Sequence, residues 1–253
     1  MKRPATLITG ASAGLGAEFA RQCHARGDEL ILVARRRDRL EALAQELGGK
    51  VHVIAADLSE PDAPSQLVEE VEGLGLWVGT LVNNAGFGLI GKFERLPLDR
   101  QLQMIDLNIR ALTALAHLVL PEMKARREGS ILNVASTAAF QAGPGFGVYF
   151  ATKAYVLSFT EALHQELKGS GIHVSALCPG PTRTEFGEVA GIGRKGRFDR
   201  FSADAESVVA AGLRGLLRNK AVIVPGLSNK VSASSNRIIP RPLMRRIVAS
   251  LKL

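Results

Sequence analysis

A doubly wound α/β fold, with a seven-stranded, mainly parallel sheet covered by helices on both faces, is what this sequence predicts. Three observations carry that prediction. Short, almost wholly apolar runs alternate with longer stretches of helical period. The runs lack the polar alternation of a half-exposed strand. No Pro/Gly/Ser linker, internal repeat or low-complexity tract divides the 253 residues. Strands apolar on both faces belong between two helical layers. The length suits a single domain over 1–253, with its core at about 4–226 and an extension at about 227–253.

Ala5–Thr9 reads as the first strand, followed by a glycine turn and a helix from about Leu15 to Arg26. Glu29–Ala34 is the second strand, and Arg36–Leu47 a helix with Leu40, Leu43, Ala44 and Leu47 on one face. Val51–Ala55 is the third strand; the next helix opens near Pro61 and Asp62, where proline fits a first turn. Gly79–Val82 is the fourth strand, and the long helix after it, Leu98 to Arg126, is expected to be bent or interrupted at Pro121. Ser130–Ala135, a helix over Val148–Lys168, and Ile172–Cys178 follow. A helix near Asp204–Leu217 and a strand at Ala221–Val224 complete the core.

The chain carries 32 Lys+Arg against 24 Asp+Glu, a formal charge of +8. Glu206 is the last acidic residue, and nine basic residues follow it, so residues 1–206 carry only −1. The basic excess belongs to a tail, and a nucleic-acid partner is not expected. Hydrophobic residues at 46% exclude extensive disorder. No run approaches the ~18–20 consecutive apolar residues of a membrane span, and the apolar run after Arg3 ends at Gly10, too early for a signal sequence. Cys23 and Cys178 form no disulfide framework and suit a reducing, cytoplasmic setting. The five histidines show no metal-ligand spacing, so no metal is expected.

The first strand runs into Thr9-Gly10-Ala11-Ser12-Ala13-Gly14-Leu15-Gly16. Glycines at a strand-to-helix turn let the backbone approach a pyrophosphate, and the helix N-terminus offers it free N–H groups. Glycines can also simply make a tight turn, but a strand before and a helix after favour a dinucleotide. Thr9-Gly10-x-x-x-Gly14-x-Gly16, Asn83-Asn84-Ala85-Gly86, Ser136, Tyr149-x-x-x-Lys153 and Pro179-Gly180 then occur in order, each at the end of a strand or just after it. That ordered set resembles the short-chain dehydrogenase/reductase family over about residues 4–226. The resemblance implies a Rossmann-like domain and an NADP(H)-dependent oxidoreductase acting on a carbonyl or secondary alcohol.

The second strand ends at Ala34, followed by Arg35 and Arg36 instead of the carboxylate that would hold a ribose hydroxyl and repel a 2′-phosphate. NADP(H) is therefore expected over NAD(H), because guanidinium groups fork onto phosphate oxygens. The resemblance makes Arg35 the phosphate contact with help from Arg36, whereas Arg37 and Arg39 read as solvated helix charges. It places Gly10, Ser12, Ala13, Gly14, Leu15 and Gly16 at the pyrophosphate, and Asp57 with Leu58 at the adenine, although Asp57 could equally cap the turn before Pro61. It gives Asn83 and Asn84, which could also simply form the turn, a role steadying the sheet centre, and puts Asn83, Ala85 and Gly86 near the coenzyme. Pro179, Gly180 and Thr184 resemble the segment that grips the nicotinamide, with Thr182 as the alternative.

Carbonyl reduction needs a proton donor and a group to hold the substrate oxygen. A free tyrosine titrates near 10, and a lysine at i+4 shares its helix face and can stabilise the phenolate. Tyr149 with Lys153 is the only such pair in the chain. Tyr149 is the expected acid/base. The resemblance makes Lys153 its activator and ribose anchor, Ser136 the donor to substrate oxygen, and Asn108 a support for a water-linked proton path.

Phe186, Phe198, Phe201, Phe87, Phe140 and Phe146 suggest an apolar substrate pocket, and the Gly-rich connection between Thr184 and Ser202 lies where the resemblance implies a substrate lid. From Pro240 onward, Leu243, Met244, Ile247, Val248 and Leu251 share one helical arc, with Arg241, Arg245 and Lys252 opposite. That face either packs on the protein itself or a second subunit, or rests on an anionic membrane surface. The resemblance implies a homodimer or homotetramer through the long helices. A 3-oxoacyl-thioester reductase and a non-catalytic nucleotide-binding regulator are the alternative functions; the intact Ser136, Tyr149 and Lys153 oppose the second.

Overall fold

The computed structural model describes residues 2–190, 202–235 and 239–250. Seven strands form one parallel sheet in the order β3-β2-β1-β4-β5-β6-β7: β1 (Arg3–Thr9), β2 (Leu30–Ala34), β3 (Val51–Ala55), β4 (Leu76–Asn83), β5 (Gly129–Val134), β6 (Ile172–Leu177) and β7 (Val222–Ile223). The Rossmann-like doubly wound fold is as the sequence predicts.

The strands read as apolar throughout because successive side chains serve opposite helical layers. Leu7, Ile31, Val33 and Ile131 face a core shared with α3 (Ala63–Gly73), α5 (Leu112–Arg126) and α6 (Gly147–Glu166). Ile8, Leu30, Leu32 and Leu132 face a second core with α1 (Gly14–Ala25), α2 (Arg37–Leu47) and α8 (Ala205–Leu217). Phe19 of α1 is fully buried in that second core; replacing such a side chain by alanine costs about 3–5 kcal/mol.

The long helix departs from expectation in where it is irregular. α4 (Leu98–Ile105) passes into a π-helical stretch, Asp106–Ala111, which continues as α5. Pro121 lies inside α5 without ending it. By length and composition, Leu98–Arg126 would suffice to cross a membrane, contrary to the sequence expectation; here Leu112, Leu115, Ala116, Val119 and Met123 are buried in the protein's own core.

Helix α8 begins as expected, because the Asp204 carboxylate accepts the Ser207 N–H at 2.7 Å as an N-cap. After β7 comes α9 (Leu227–Ser235), which the sequence reading left within the extension without a helix of its own. The amphipathic tail helix is α10 (Arg241–Ser250). Its apolar face is divided: Met244 and Val248 are buried against the protein body, while Leu243 and Ile247 are exposed. The lid residues Phe198 and Phe201, with Leu251 and Lys252 of the tail, lie outside the described residues.

Candidate active site

Strand order reverses between β1 and β4, and the crevice this opens is held by side chains at the strand ends. The Thr9 hydroxyl donates to the Val82 carbonyl at 3.3 Å and accepts the N–H groups of Asn84 and Ala85 at 3.0 and 2.9 Å. The Asn84 amide donates to the Thr9 and Gly10 carbonyls at 2.9 and 3.3 Å. Gly10 has φ +67°, and a Cβ there would lie 2.9 Å from the Ala85 Cα, so the turn requires glycine on both counts. Ala13 at the N-cap of α1 has no side-chain hydrogen bond to offer its first N–H groups, which suits them to an anion.

A cavity of about 890 Å³ extends along this crevice. One end is polar and wet. Arg35 stands 3.6 Å from Asp57, and Arg36 donates to the Ser12 hydroxyl at 3.1 and 3.3 Å. Asp57 also accepts the N–H and hydroxyl of Ser59 at 3.0 and 2.6 Å, so it caps its turn and lines the cavity at once. Burial pushes its carboxyl upward, but Ser59 and Arg35 outweigh that and hold it below its ordinary value.

The other end is dry. Tyr149 and Lys153 are both buried on α6, and Ser136 follows β5 at the head of a short 3-10 turn, Thr137–Phe140. Burial pushes the Tyr149 phenol up to about 12, partly offset by a hydrogen bond with Ser136. Burial lowers Lys153 to about 8. Its Nζ donates to the Val134 carbonyl at 2.7 Å and lies 5.8 Å from the centre of the Tyr149 ring. The expected lowering of Tyr149 by Lys153 is not what the protein alone gives: desolvation dominates because apolar rings enclose the phenol. Phe146 stacks on it at 4.6 Å and Phe186 leans on it at 5.3 Å. Phe87, Met104, Phe150, Met244 and Val248 complete the same cluster.

The expected coenzyme residues Ser12, Ala13, Gly14, Leu15, Arg35, Arg36, Leu58, Ala85 and Gly86 line this cavity together with Gly10 and Asp57. So do Pro179, Gly180, Thr182 and Thr184, together with Ser136, Tyr149 and Lys153. Three expected residues do not. Gly16 packs beneath the turn, where a Cβ would come within 2.1 Å of the Gly10 carbonyl oxygen. Asn83 points into the core and donates to Asn133 at 3.0 Å; the pleat turns its neighbour Asn84 toward the crevice instead. Asn108 is buried in the π-helical stretch, accepting the Phe87 N–H at 3.1 Å and donating to the Phe87 carbonyl and the Thr152 hydroxyl at 3.0 Å each. A Cβ placed on Gly86 would lie 2.9 Å from Asn108 Oδ1 and 3.6 Å from Lys153 Nζ, so Gly86 leaves the space between those two groups open.

Sequence reasoning missed Arg39, Glu185, Asn229 and Ser232. Arg39 and Glu185 form an ion pair across 146 positions, and Asn229 and Ser232 of α9 line the cavity. No local spacing signals any of them.

A family model described as short chain dehydrogenase matches residues 4–197. The chain is 36% identical to sulfoacetaldehyde reductase 2 of Chromohalobacter salexigens, over 83% of this chain and 85% of the relative. A short-chain dehydrogenase from Sphingobium yanoikuyae, solved in complex with NADPH, is 36% identical over 93% of each chain, with a TM-score of 0.84. The bulky-bulky ketone specific alcohol dehydrogenase from Comamonas testosteroni is 31% identical over 94% of each chain, with a TM-score of 0.78.

Proposed function

The chain belongs to the short-chain dehydrogenase/reductase family of oxidoreductases, and from that premise we propose that it reduces apolar ketones, or oxidises the matching secondary alcohols, with NADP(H) preferred over NAD(H). The observation that carries this reading is the continuity of one cavity from Arg35 and Arg36 to Ser136, Tyr149 and Lys153. The residues present fit a dinucleotide: an open helix N-terminus and glycine turn for the pyrophosphate, cations for a 2′-phosphate, and a buried lysine beside the acid/base.

NADPH, when bound, supplies the hydride. Ser136 holds the substrate oxygen by its hydroxyl, and Tyr149 donates the phenolic proton to that oxygen as charge develops on it. In oxidation the same phenolate accepts the proton. A phenol at about 12 yields its proton readily only to an alkoxide-like oxygen, so transfer is timed to the developing charge. Lys153 keeps a cation close to the ring and anchors a ribose hydroxyl. The space beside Gly86 lets a water link Lys153 to Asn108, while the π-helical stretch aims the Asn108 side chain at that place.

The apolar substrate class follows from the rings and aliphatic side chains around Tyr149. Leu98 and Leu102, exposed one turn apart on α4, with Tyr155 exposed on α6, supply an apolar face for a homo-oligomer; light scattering of the protein and a Leu102→Glu variant tests it. NADPH oxidation against a carbonyl panel, with NADH in parallel, tests the activity. Bulky aryl or alicyclic ketones are expected to outperform short anionic aldehydes, and NADPH to outperform NADH. Equal rates with NADH would overturn the reading of Arg35 and Arg36.

A further inference from the structure

Glu185 lines the cavity between the segment 179–184 and α7 (Phe186–Ala190). Its carboxylate reaches back across the mouth of the cavity to α2. Arg39 Nη1 donates to both of its oxygens at 2.7 and 2.9 Å, and Arg36 Nη1 donates to Oε2 at 3.2 Å. Arg36 simultaneously holds the Ser12 hydroxyl of the glycine turn. Two guanidinium groups converging on one anion, one of them also held at the hydroxyl of the pyrophosphate turn, are a donor set that suits a phosphate monoester.

We propose that Glu185 is a coenzyme-discriminating residue: its carboxylate occupies the Arg36–Arg39 pair where the 2′-phosphate of NADP(H) would bind, and the phosphate enters by exchange with it. This rests on the NADP(H) reading above and goes beyond it, because it adds Arg39 to the phosphate site and gives the site an internal competitor.

The energetics suit exchange. All three side chains are more than 40% exposed, so the ion pair is screened and contributes little to stability. A phosphate monoester carries about −1.5 to −2 charge and three acceptor oxygens, against one charge and two oxygens for the carboxylate. The Arg39 and Arg36 hydrogen bonds hold Glu185 below the ordinary carboxylate range, so it remains an anion wherever the enzyme works. A coenzyme without the 2′-phosphate leaves the arginines paired to Glu185. Phe186, the next residue, leans on the Tyr149 ring, so release of Glu185 frees the chain beside the acid/base.

Calorimetric titration of the full chain with 2′,5′-ADP and with 5′-AMP tests this without turnover, comparing the unaltered protein with Glu185→Gln and with Glu41→Gln. Glu41 pairs with Arg37 on α2, so its variant removes the same charge nearby without touching Arg36 or Arg39. The expected result is that Glu185→Gln binds 2′,5′-ADP about two- to fivefold tighter while 5′-AMP is unchanged, the gain shrinking at high salt. Unchanged or weaker 2′,5′-ADP binding overturns the proposal, as does equal tightening of both ligands or equal tightening by Glu41→Gln. Unaltered protein that binds 2′,5′-ADP no tighter than 5′-AMP would instead fail the NADP(H) preference itself.

Discussion

The two ends of the cavity use charge in opposite ways. At the end toward β2 three arginines are about half-exposed and paired: Arg35 with Asp57, Arg36 and Arg39 with Glu185. At the other end Lys153 is buried, its Nζ donating to the Val134 carbonyl as its one hydrogen bond among the described residues, beside a buried phenol. Water weakens the first set, so its contacts exchange cheaply and suit recognition of a ligand that comes and goes. Desolvation strengthens the second set and shifts its proton affinities, which suits chemistry. Each end would fail at the other's task.

Substitutions at the dry end should therefore act steeply. Tyr149→Phe is expected to lower kcat by about 10²–10⁴-fold, with NADPH binding, followed by fluorescence titration, retained. Turnover within tenfold of the unaltered enzyme would remove Tyr149 from its role.

Buried charge should also leave a mark on stability. In the folded chain Lys153 titrates near 8, against 10.5 when exposed. Between those values the unfolded chain binds a proton that the folded chain lacks, so this residue makes stability rise with pH across that window, by up to about 3 kcal/mol. Cys23 and Cys178, pushed up to about 12, act in the opposite sense above pH 9. The clean measurement is thus the difference between the protein and Lys153→Met in urea denaturation at pH 7.5 and 10. The difference should shift in favour of the unaltered protein as pH rises; a constant difference would show that Lys153 is not desolvated.

The wet end should respond more gently. Arg35→Ser with Arg36→Ser should raise KM for NADPH roughly tenfold or more, from lost charge-assisted hydrogen bonds of about 1.5–3 kcal/mol, and leave KM for NADH within about twofold. Equal changes for both coenzymes would show that these arginines do not read the phosphate. The smallest effect is expected at α10: Val248→Ala should raise KM for a bulky ketone a few-fold through lost contact area, with KM for NADPH unchanged. No change in ketone KM would separate α10 from the substrate end.

The same contrast explains what was legible in the sequence. Tyr149 and Lys153 could be paired because i and i+4 share a helix face, and the strands could be found because both their faces are apolar. Arg39 could not be distinguished from a solvated helix charge, since its partner Glu185 is brought to it only by the fold. Asn83 faces the core and Asn84 the crevice because one step along a pleat reverses the side chain, and the strand's end, which sequence does not mark, sets which one does which. The π-helical stretch around Asn108 has no distinct hydrophobic period. α9, with its Ser-rich Leu227–Ser235, offers no apolar stripe to read.

The placement of Met244 and Val248 against Phe146 and Tyr149 bears on how the molecule is made. The glycine turn and its flanking strands emerge from the ribosome early, whereas α10 emerges after every strand of the sheet. A nascent chain can thus hold the glycine-turn crevice while the apolar end of the cavity still lacks a wall. Fusions and truncations at the α10 side should then give a protein that folds and takes up coenzyme yet works poorly on large substrates.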